Sequence, residues 1–200
     1  MKKLLLFALV PIFGIVNKST AQNVEFGVKG GLNISGLHYT LDNSLNSRVS
    51  IYLGALAHIH INKTWAVQPE LTYSLQGATQ VIDGNDVTWR LNYVNIPILL
   101  QYMFENGFRL QTGPQLGLLA SAKLKEGGTI TDVKNDYATA DFSWSFGAGY
   151  LTSSGLGIDA RYNLGVNNIN NNSFNNSNNN SGMLYNRVFQ IGLFYQFKNL

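Results

Sequence analysis

The sequence predicts an all-β fold, namely an eight-stranded antiparallel up-and-down transmembrane β-barrel. Three observations lead to this prediction. Apolar and polar residues alternate with a period of two over eight segments, as in strands that have one apolar and one polar face. Only 12% of the residues are charged, against roughly 25% in soluble domains. The connections between the segments alternate strictly between long and short, which indicates a meander whose two ends differ.

The last segment shows the pattern most clearly. Its first face consists of Met183, Tyr185, Arg187, Phe189, Ile191, Leu193, Tyr195 and Phe197. Its second face consists of Leu184, Asn186, Val188, Gln190, Gly192, Phe194 and Gln196. The first face is long, aromatic at both ends and nearly uncharged. Such a surface suits contact with lipid better than packing on a small soluble core.

Seven earlier segments repeat the alternation. They are Val24 to Ser35, Val49 to Asn62, Trp65 to Gln76, Val87 to Phe104, Phe108 to Ser121, Asp141 to Tyr150 and Leu156 to Gly165. Pro69 interrupts the third segment. Because proline has no N–H to donate to a ladder, we expect a bulge there.

The fourth segment changes phase along its length. Its early apolar residues lie on one face, whereas the later apolar residues lie on the other. Either a bulge near Tyr93 to Pro97 switches the faces, or the barrel interior takes Leu91, Tyr93 and Leu99 as packing. The alternation leaves both possibilities open.

The lengths of the connections predict which end of the barrel faces the periplasm. The tight ones are Asn62-Lys63, Glu105 to Gly107 and Ser153 to Gly155, with hairpin turn chemistry in the last two. The long ones are Gly36 to Arg48, Ala78 to Asp86, Lys123 to Asp136 and Asn167 to Gly182. Bacterial outer-membrane barrels have short periplasmic turns and longer outer loops. We therefore expect both termini to be periplasmic.

The last long connection is rich in asparagine. Ten of the fourteen residues from Asn167 to Asn180 are Asn. Such a tract cannot build a core, so we expect it to be mobile.

The N-terminus predicts the compartment. Lys2 and Lys3 precede a 13-residue apolar run, and Ser19-Thr20-Ala21 offers a cleavage site. We expect residues 1–21 to be a secretory signal peptide and residues 22–200 to be the barrel domain. The run is shorter than the ~20 residues that a spanning helix needs.

The charge balance excludes one class of partner. Lys2, Lys3 and Lys18 lie in the signal peptide, and subtracting them from the 14 basic residues leaves 11 against 11 acidic residues. The mature chain is neutral, so the pI near 9.1 gives no argument for nucleic acid binding. The chain contains no cysteine, which excludes disulfides and thiolate metal sites.

The polar faces carry nine ionisable residues that we expect to lie in the lumen. They are Glu25, Lys29, His58, His60, Glu70, Arg109, Asp141, Asp159 and Arg161. An eight-stranded barrel is just wide enough to be filled by its own side chains. Since unpaired buried charge is costly, we expect these groups to pair with one another as a lumen network. The alternative is a proton path or a gated pore.

Catalytic and metal sites have weak support. His38 lies near Asp42, Ser44 and Ser47 in sequence, but nearness in sequence is not a triad. His58 and His60 are two residues apart on one strand and lack a clear third ligand for a metal. We therefore predict no enzyme activity, no cofactor and no metal site.

Several stretches together resemble one family. FGVKGGLNIS, YVNIPILLQY, GPQLGLLASAK, FGAGY and the closing IGLFYQF are similar to those of PorT-like outer-membrane β-barrel proteins, a family linked to secretion. The resemblance covers nearly the whole mature chain and implies its fold and its location in the outer membrane of a Gram-negative-type bacterium. One departure is that Lys198-Asn199-Leu200 follows Phe197, whereas many outer-membrane proteins end on an aromatic residue.

The predicted function follows from these points. We expect a monomeric, non-enzymatic barrel with a filled lumen, acting through its loops in envelope structure, adhesion or a secretion assembly. Its expected partners are outer-membrane lipid and envelope or secretion proteins. The alternative function is a small channel, or a carrier for a small or hydrophobic ligand.

Overall fold

The computed structural model describes residues 24–40, 45–82, 84–171 and 182–197. Within them lie nine strands and one short 3₁₀-helix over Lys134–Asp136. The strands are β1 (Val24–Tyr39), β2 (Asn46–His60), β3 (Trp65–Ile82), β4 (Asn85–Met103), β5 (Phe108–Glu126), β6 (Thr129–Asp132), β7 (Ala140–Leu151), β8 (Leu156–Gly165) and β9 (Leu184–Gln196). The predicted signal peptide and residues 172–181 of the Asn-rich tract lie outside the described residues.

Eight of the strands close into a ring in which all neighbours are antiparallel. The order around the ring is β1, β2, β3, β4, β5, β7, β8 and β9, and β9 pairs with β1 to close it. The four-residue β6 lies outside the ring and pairs with the end of β5. The predicted eight-stranded up-and-down barrel is therefore confirmed.

The two ends of the barrel differ, and we call them the turn end and the loop end. The three predicted tight turns lie at the turn end, where Gly107 and Gly155 adopt φ angles of 90° and 91°. The start of β1 and the end of β9 lie at the same end, because Gly27 pairs with Gln196. Left-handed φ angles of this kind favour glycine, which explains the turn sequences.

Two of the four predicted long loops are instead largely strand. The connection Ala78 to Asp86 consists of the ends of β3 and β4, joined at Gly84. The connection Lys123 to Asp136 consists of the end of β5, a turn at Gly127-Gly128, β6 and, after Val133, the short 3₁₀-helix. Strands β3, β4 and β5 have 18 or 19 residues, whereas about 9 to 11 residues span a bilayer. The three strands therefore extend past the lipid-facing wall.

The alternation sorts the residues as predicted, with apolar side chains outside and polar ones inside. Leu53 on β2 is 69% exposed, whereas its neighbour Tyr52 faces inward and is 4% exposed. The turn end of the outer wall has a row of aromatic residues with ring contacts between Trp65 and Tyr102, Tyr102 and Phe104, Phe104 and Phe108, and Tyr195 and Phe197. Rows of this kind are typical of membrane interfaces.

The structure decides between the two interpretations of β4. Its inward row is continuous, and Leu91, Tyr93 and Leu99 are fully buried in the interior. The irregularity lies on the partner strand, since Asn92 pairs with Ser121 and Tyr93 with Leu119. Ala120 on β5 is the extra residue, so the change of phase occurs on β5.

The predicted bulge at Pro69 is wrong. The register between β3 and β4 is the same on both sides of Pro69, which pairs with Ile98. The ladder with β2 has no pairs between Glu70 and Val67, but its register does not shift there. Proline has no N–H group to donate to the ladder with β2, so the pairing is interrupted there. No extra residue is inserted into β3, so the interruption is not a bulge.

The outward position of Leu53 can be tested by substitution. We expect Leu53→Arg to lower the free energy of unfolding by about 2 to 4 kcal/mol, because the charge would enter the lipid-facing wall. The matched control is Ile130→Arg, since Ile130 is also apolar and exposed but lies on β6 beyond the ring. Urea titration in lipid vesicles measures both variants, and equal effects would contradict the membrane-facing wall.

Candidate functional site in the lumen and at the loop end

Four of the nine predicted lumen residues form a compact ion quartet. Lys29 on β1 lies 2.8 Å from Asp159 and 3.3 Å from Glu70. Arg161 on β8 makes two hydrogen bonds to the Glu70 carboxylate, at 2.8 and 3.0 Å, and lies 3.4 Å from Asp159. All four side chains are between 0 and 6% exposed. Two cations and two anions give the quartet no net charge, as burial requires.

The pair of Arg161 and Glu70 crosses the whole lumen. Glu70 lies on β3 and Arg161 on β8, and these strands are four places apart in either direction around the ring of eight. The guanidinium and the carboxylate therefore meet from opposite walls. A bidentate pair of this kind fixes both side chains in position.

The quartet is reinforced by neighbouring polar groups. Gln68 donates a hydrogen bond of 2.8 Å to the Glu70 carboxylate. The Tyr52 hydroxyl lies 3.5 Å from Asp159. Tyr52 reaches this position because the inward residue opposite its hydroxyl is Gly192, where a Cβ atom would collide with the Tyr52 oxygen.

Four other predicted residues line a recess at the turn end. Glu25, His58, His60 and Arg109 border a cavity of about 250 Å³. His58 contacts Gln68 at 3.3 Å and the His60 ring edge-on, with a centroid distance of 4.5 Å. Arg109 lies 5.4 Å from the centre of the Phe194 ring. Among the described residues, no ion pair within 4.0 Å joins these four to the quartet.

The ninth residue, Asp141 on β7, lies on the loop-end side of the quartet. It accepts a hydrogen bond of 2.8 Å from Asn186 on β9. The nine residues therefore lie at three levels of the lumen, and Gln68 links the turn-end level to the quartet by contacting both His58 and Glu70. Their placement on the inner face follows from the alternation, but their grouping depends on how the strands are staggered around the barrel.

A belt of amides fills the lumen between the quartet and the loop end. Gln190 donates to Asn33 at 2.8 Å, and Asn163 donates to Gln190 at 2.9 Å. Ser145 donates to Asn163 at 2.7 Å, and Asn33 donates to Ser74 at 3.0 Å. The belt thus joins β7, β8, β9, β1 and β3 through side chains alone.

An apolar cap lies at the loop end of the lumen, and the sequence interpretation anticipated only the possible interior packing of Leu91 and Tyr93. Its buried members are Leu37, Ala78, Leu91, Tyr93, Leu119, Ala122, Ile169 and Leu184. Tyr39, Leu45, Trp89, Val133 and Tyr137 pack against it. Burial raises the pKa of Tyr137 to about 12, with a smaller effect from Asp136, so its phenol is neutral. A sequence signal existed, since apolar residues break the polar face of several segments at the same end.

The first residues of the Asn-rich connection belong to this cap. Ile169 is fully buried, and its backbone bonds to Leu184 and Ala138. The Asn167 side chain accepts a hydrogen bond from the backbone N–H of Phe142 at 2.6 Å. The expectation of a mobile loop is therefore wrong for residues 167–171. Asparagine side chains in this stretch bond to backbone groups of neighbouring segments and so hold it in place.

The structure brings together two of the four residues considered for catalysis. His38 and Ser47 line one recess at the loop end, and no hydrogen bond joins their side chains. Asp42 and Ser44 lie outside the described residues. No group of three or more potential metal ligands occurs in the part of the chain that the structure describes. Nor does any helix in that part have the length and apolarity to cross a membrane.

Comparisons with known proteins place the chain among membrane barrels. Residues 20–171 match the family described as outer membrane protein beta-barrel domain. The crystal structure of Neisserial surface protein A is 14% identical, covers 88% of this chain and 100% of its own, and has a TM-score of 0.59. The crystal structure of Ail, the attachment invasion locus protein of Yersinia pestis, is 14% identical, covers 86% and 98%, and has a TM-score of 0.53. A search of curated protein sequences gives no match.

The ion quartet can be tested by removing charges singly and in pairs. Glu70→Gln leaves two buried cations with one carboxylate, and we expect it to lower the free energy of unfolding by about 3 to 5 kcal/mol. Adding Lys29→Met restores neutrality, so the double variant should be destabilised by less than the sum of the single variants. Urea unfolding in bicelles, followed by tryptophan fluorescence, measures the cycle.

A matched control distinguishes the effect of unbalanced charge on stability from the effect of losing one hydrogen bond. Ser143 is also buried in the lumen, and it accepts one hydrogen bond from Gln115. Ser143→Ala should lower the free energy of unfolding by only about 1 kcal/mol. Equal effects of Glu70→Gln and Ser143→Ala would show that the quartet does not act as an ionic unit.

Proposed function

Because the chain belongs to the outer membrane protein beta-barrel domain family, we propose that it is a closed outer-membrane barrel that acts through its loop end. It has no catalytic role in this proposal. It acts in adhesion or in envelope structure, and its loop end faces the outside of the cell.

The observation that carries the proposal is the packing of side chains across the lumen. The pair of Arg161 and Glu70 joins opposite walls, and the amide belt and the apolar cap fill the space above it. A barrel filled in this way offers no continuous path for a solute. The strands are committed to lipid on one side and to packing on the other, so recognition of a partner falls to the ends.

The loop end has a surface suited to a partner. The extended ends of β3, β4 and β5, with β6, form a four-stranded sheet that continues past the wall. Val81 and Ile130 lie on this sheet and are 62% and 54% exposed. These exposed apolar side chains are candidates for contact with a partner. We call this sheet the outer sheet.

The similar structures favour adhesion as the form of that interaction. Ail, the attachment invasion locus protein of Yersinia pestis, has the same fold. The resemblance to PorT-like proteins favours a second form, in which the turn end contacts a secretion assembly.

A carrier for a small hydrophobic ligand is the second candidate function. A recess of about 230 Å³ opens in the cap and is lined mainly by apolar and aromatic residues, among them Trp89, Tyr137 and Leu184. The channel form of this candidate has no such support, because the ion quartet and the cap obstruct the lumen.

The outer sheet can be tested by removing its exposed apolar side chains. We expect Val81→Ser combined with Ile130→Ser to fold normally and to reduce attachment of cells that display the barrel, because both residues are exposed. The matched control is Lys63→Ser combined with Ser154→Ala at the turn end, which should leave attachment unchanged. Attachment is counted on coated surfaces with equal amounts of each barrel.

Orientation is established in the same cells. The chain has no cysteine, so Thr129→Cys and Ser154→Cys each introduce a single label site, at the loop end and the turn end respectively. An impermeant maleimide should label intact cells only with Thr129→Cys. Loss of function in the turn-end control, with normal function of the outer-sheet variant, would overturn the proposal in favour of a secretion assembly.

A further inference from the structure

The outer wall has a recess at the loop end that the proposed function does not use. It has a volume of about 570 Å³ and lies where β1, β2, β8 and β9 meet. Its lining includes Ile34, Gly36 and His38 on β1, Ser47 on β2, Tyr162 on β8 and Arg187 on β9. We call it the wall recess.

The wall recess forms because the wall is incomplete there. The ladder between β1 and β2 ends at Ser35 and Arg48, whereas β1 continues along β9 to Tyr39. Gly36 follows directly, and it has no side chain to fill the space. A Cβ atom at Gly36 would meet only the Ser47 hydroxyl, at 3.5 Å.

The half of the recess nearer the middle of the barrel is apolar and faces lipid. Ile34, Tyr162 and Phe189 are 43%, 39% and 39% exposed on the outer face. They continue the apolar surface of the wall without a polar break. An acyl chain lying along the wall would therefore remain in contact with apolar side chains as it entered the recess.

The half nearer the loop end is cationic. The Arg187 and His38 side chains border it, together with the Ser47 hydroxyl. No carboxylate is among its described lining residues, and neither the Arg187 nor the His38 side chain has a hydrogen bond or ion pair to any residue that the structure describes. A guanidinium can bind a phosphate through two parallel hydrogen bonds.

The height of Arg187 matches that of lipid headgroups. Below it on β9, the outward residues from Phe189 to Phe197 are all apolar or aromatic. Phe197 lies eight residues beyond Phe189, and each residue of a strand adds about 3.3 Å. On a strand tilted by roughly 40° this corresponds to about 20 Å along the membrane normal, close to the ~25 Å apolar band of such barrels. Arg187 is the first charge above that band.

We propose that the wall recess binds a phosphorylated lipid of the leaflet that meets the loop end. Arg187 and His38 bind the phosphate, and an acyl chain lies along Ile34, Phe189 and Tyr162. The inference rests on the outward orientation of the loop end proposed above, which makes this leaflet the outer one. It does not depend on the outer sheet or on attachment to any partner.

The experiment measures lipid retention by the purified full barrel. Lipid A is titrated into barrel in detergent, and bound lipid is counted by native mass spectrometry. We expect Arg187→Gln to weaken retention about tenfold, as loss of a bidentate charged pair implies. Gly36→Phe should abolish it by filling the recess. The control Lys123→Gln removes an exposed cation from β5, on the opposite wall, and should have no effect.

Two further probes identify the part of the lipid that is recognised. Dephosphorylated lipid A should bind as weakly to the wild type as lipid A binds to Arg187→Gln. Inorganic phosphate alone should not displace lipid A at equal concentration. Equal retention by wild type and Arg187→Gln, or equal binding of both lipids, would overturn the proposal, and so would displacement by inorganic phosphate. The Arg187→Gln comparison decides the question even if Gly36→Phe does not fold, and attachment assays are independent of the result.

Discussion

The ion pair between Arg161 and Glu70 is the interaction on which the interior of this barrel depends. It joins strands on opposite sides of the ring, and Lys29 and Asp159 complete a neutral quartet around it. Transferring such charges from water has a large desolvation cost, which close pairing must offset. Each member therefore constrains the other three, and the strands that carry them are held in one stagger.

The same alternation directs apolar side chains to the outer wall and polar side chains to the interior. Outside, apolar side chains meet lipid, so the polar groups of eight strands must be satisfied within the barrel. Inside, the quartet, the amide belt and the cap satisfy or bury most of the side chains that the alternation directs inward. The interior is thus a packed core made largely of polar groups.

Much of this arrangement could be predicted from the sequence, because alternation assigns each residue to a face. It placed Glu70 and Arg161 inside and Leu53 outside, and it identified the eight strands of the ring and the three tight turns, but not β6 or the extended ends of β3, β4 and β5. It did not pair Glu70 with Arg161, which are 91 residues apart, because cross-lumen contacts depend on the stagger of the closed ring. The bulge at Ala120 was not predicted, because the apolar run Leu116 to Ala120 hides the point at which β5 changes phase.

The cap was missed for a related reason. Interior packing of Leu91 and Tyr93 was one of two possibilities for β4, but the alternation does not show that residues of β1, β3, β5 and β9 join them at the loop end. Ile169 lies in an Asn-rich tract whose composition predicted mobility, yet the neighbouring amides hold it in the cap by bonding to the backbone. Composition describes a segment on average and does not show which of its residues have partners.

Conductance across planar bilayers tests most directly whether the lumen that Arg161 and Glu70 bridge is closed. Purified wild-type protein is inserted into a bilayer, and a general porin in the same chamber shows that open channels can be detected. If the lumen is closed as described, the wild-type barrel gives no steady conductance while gel mobility shows that it is folded. Stable, ion-selective channels in the folded wild type would contradict the account.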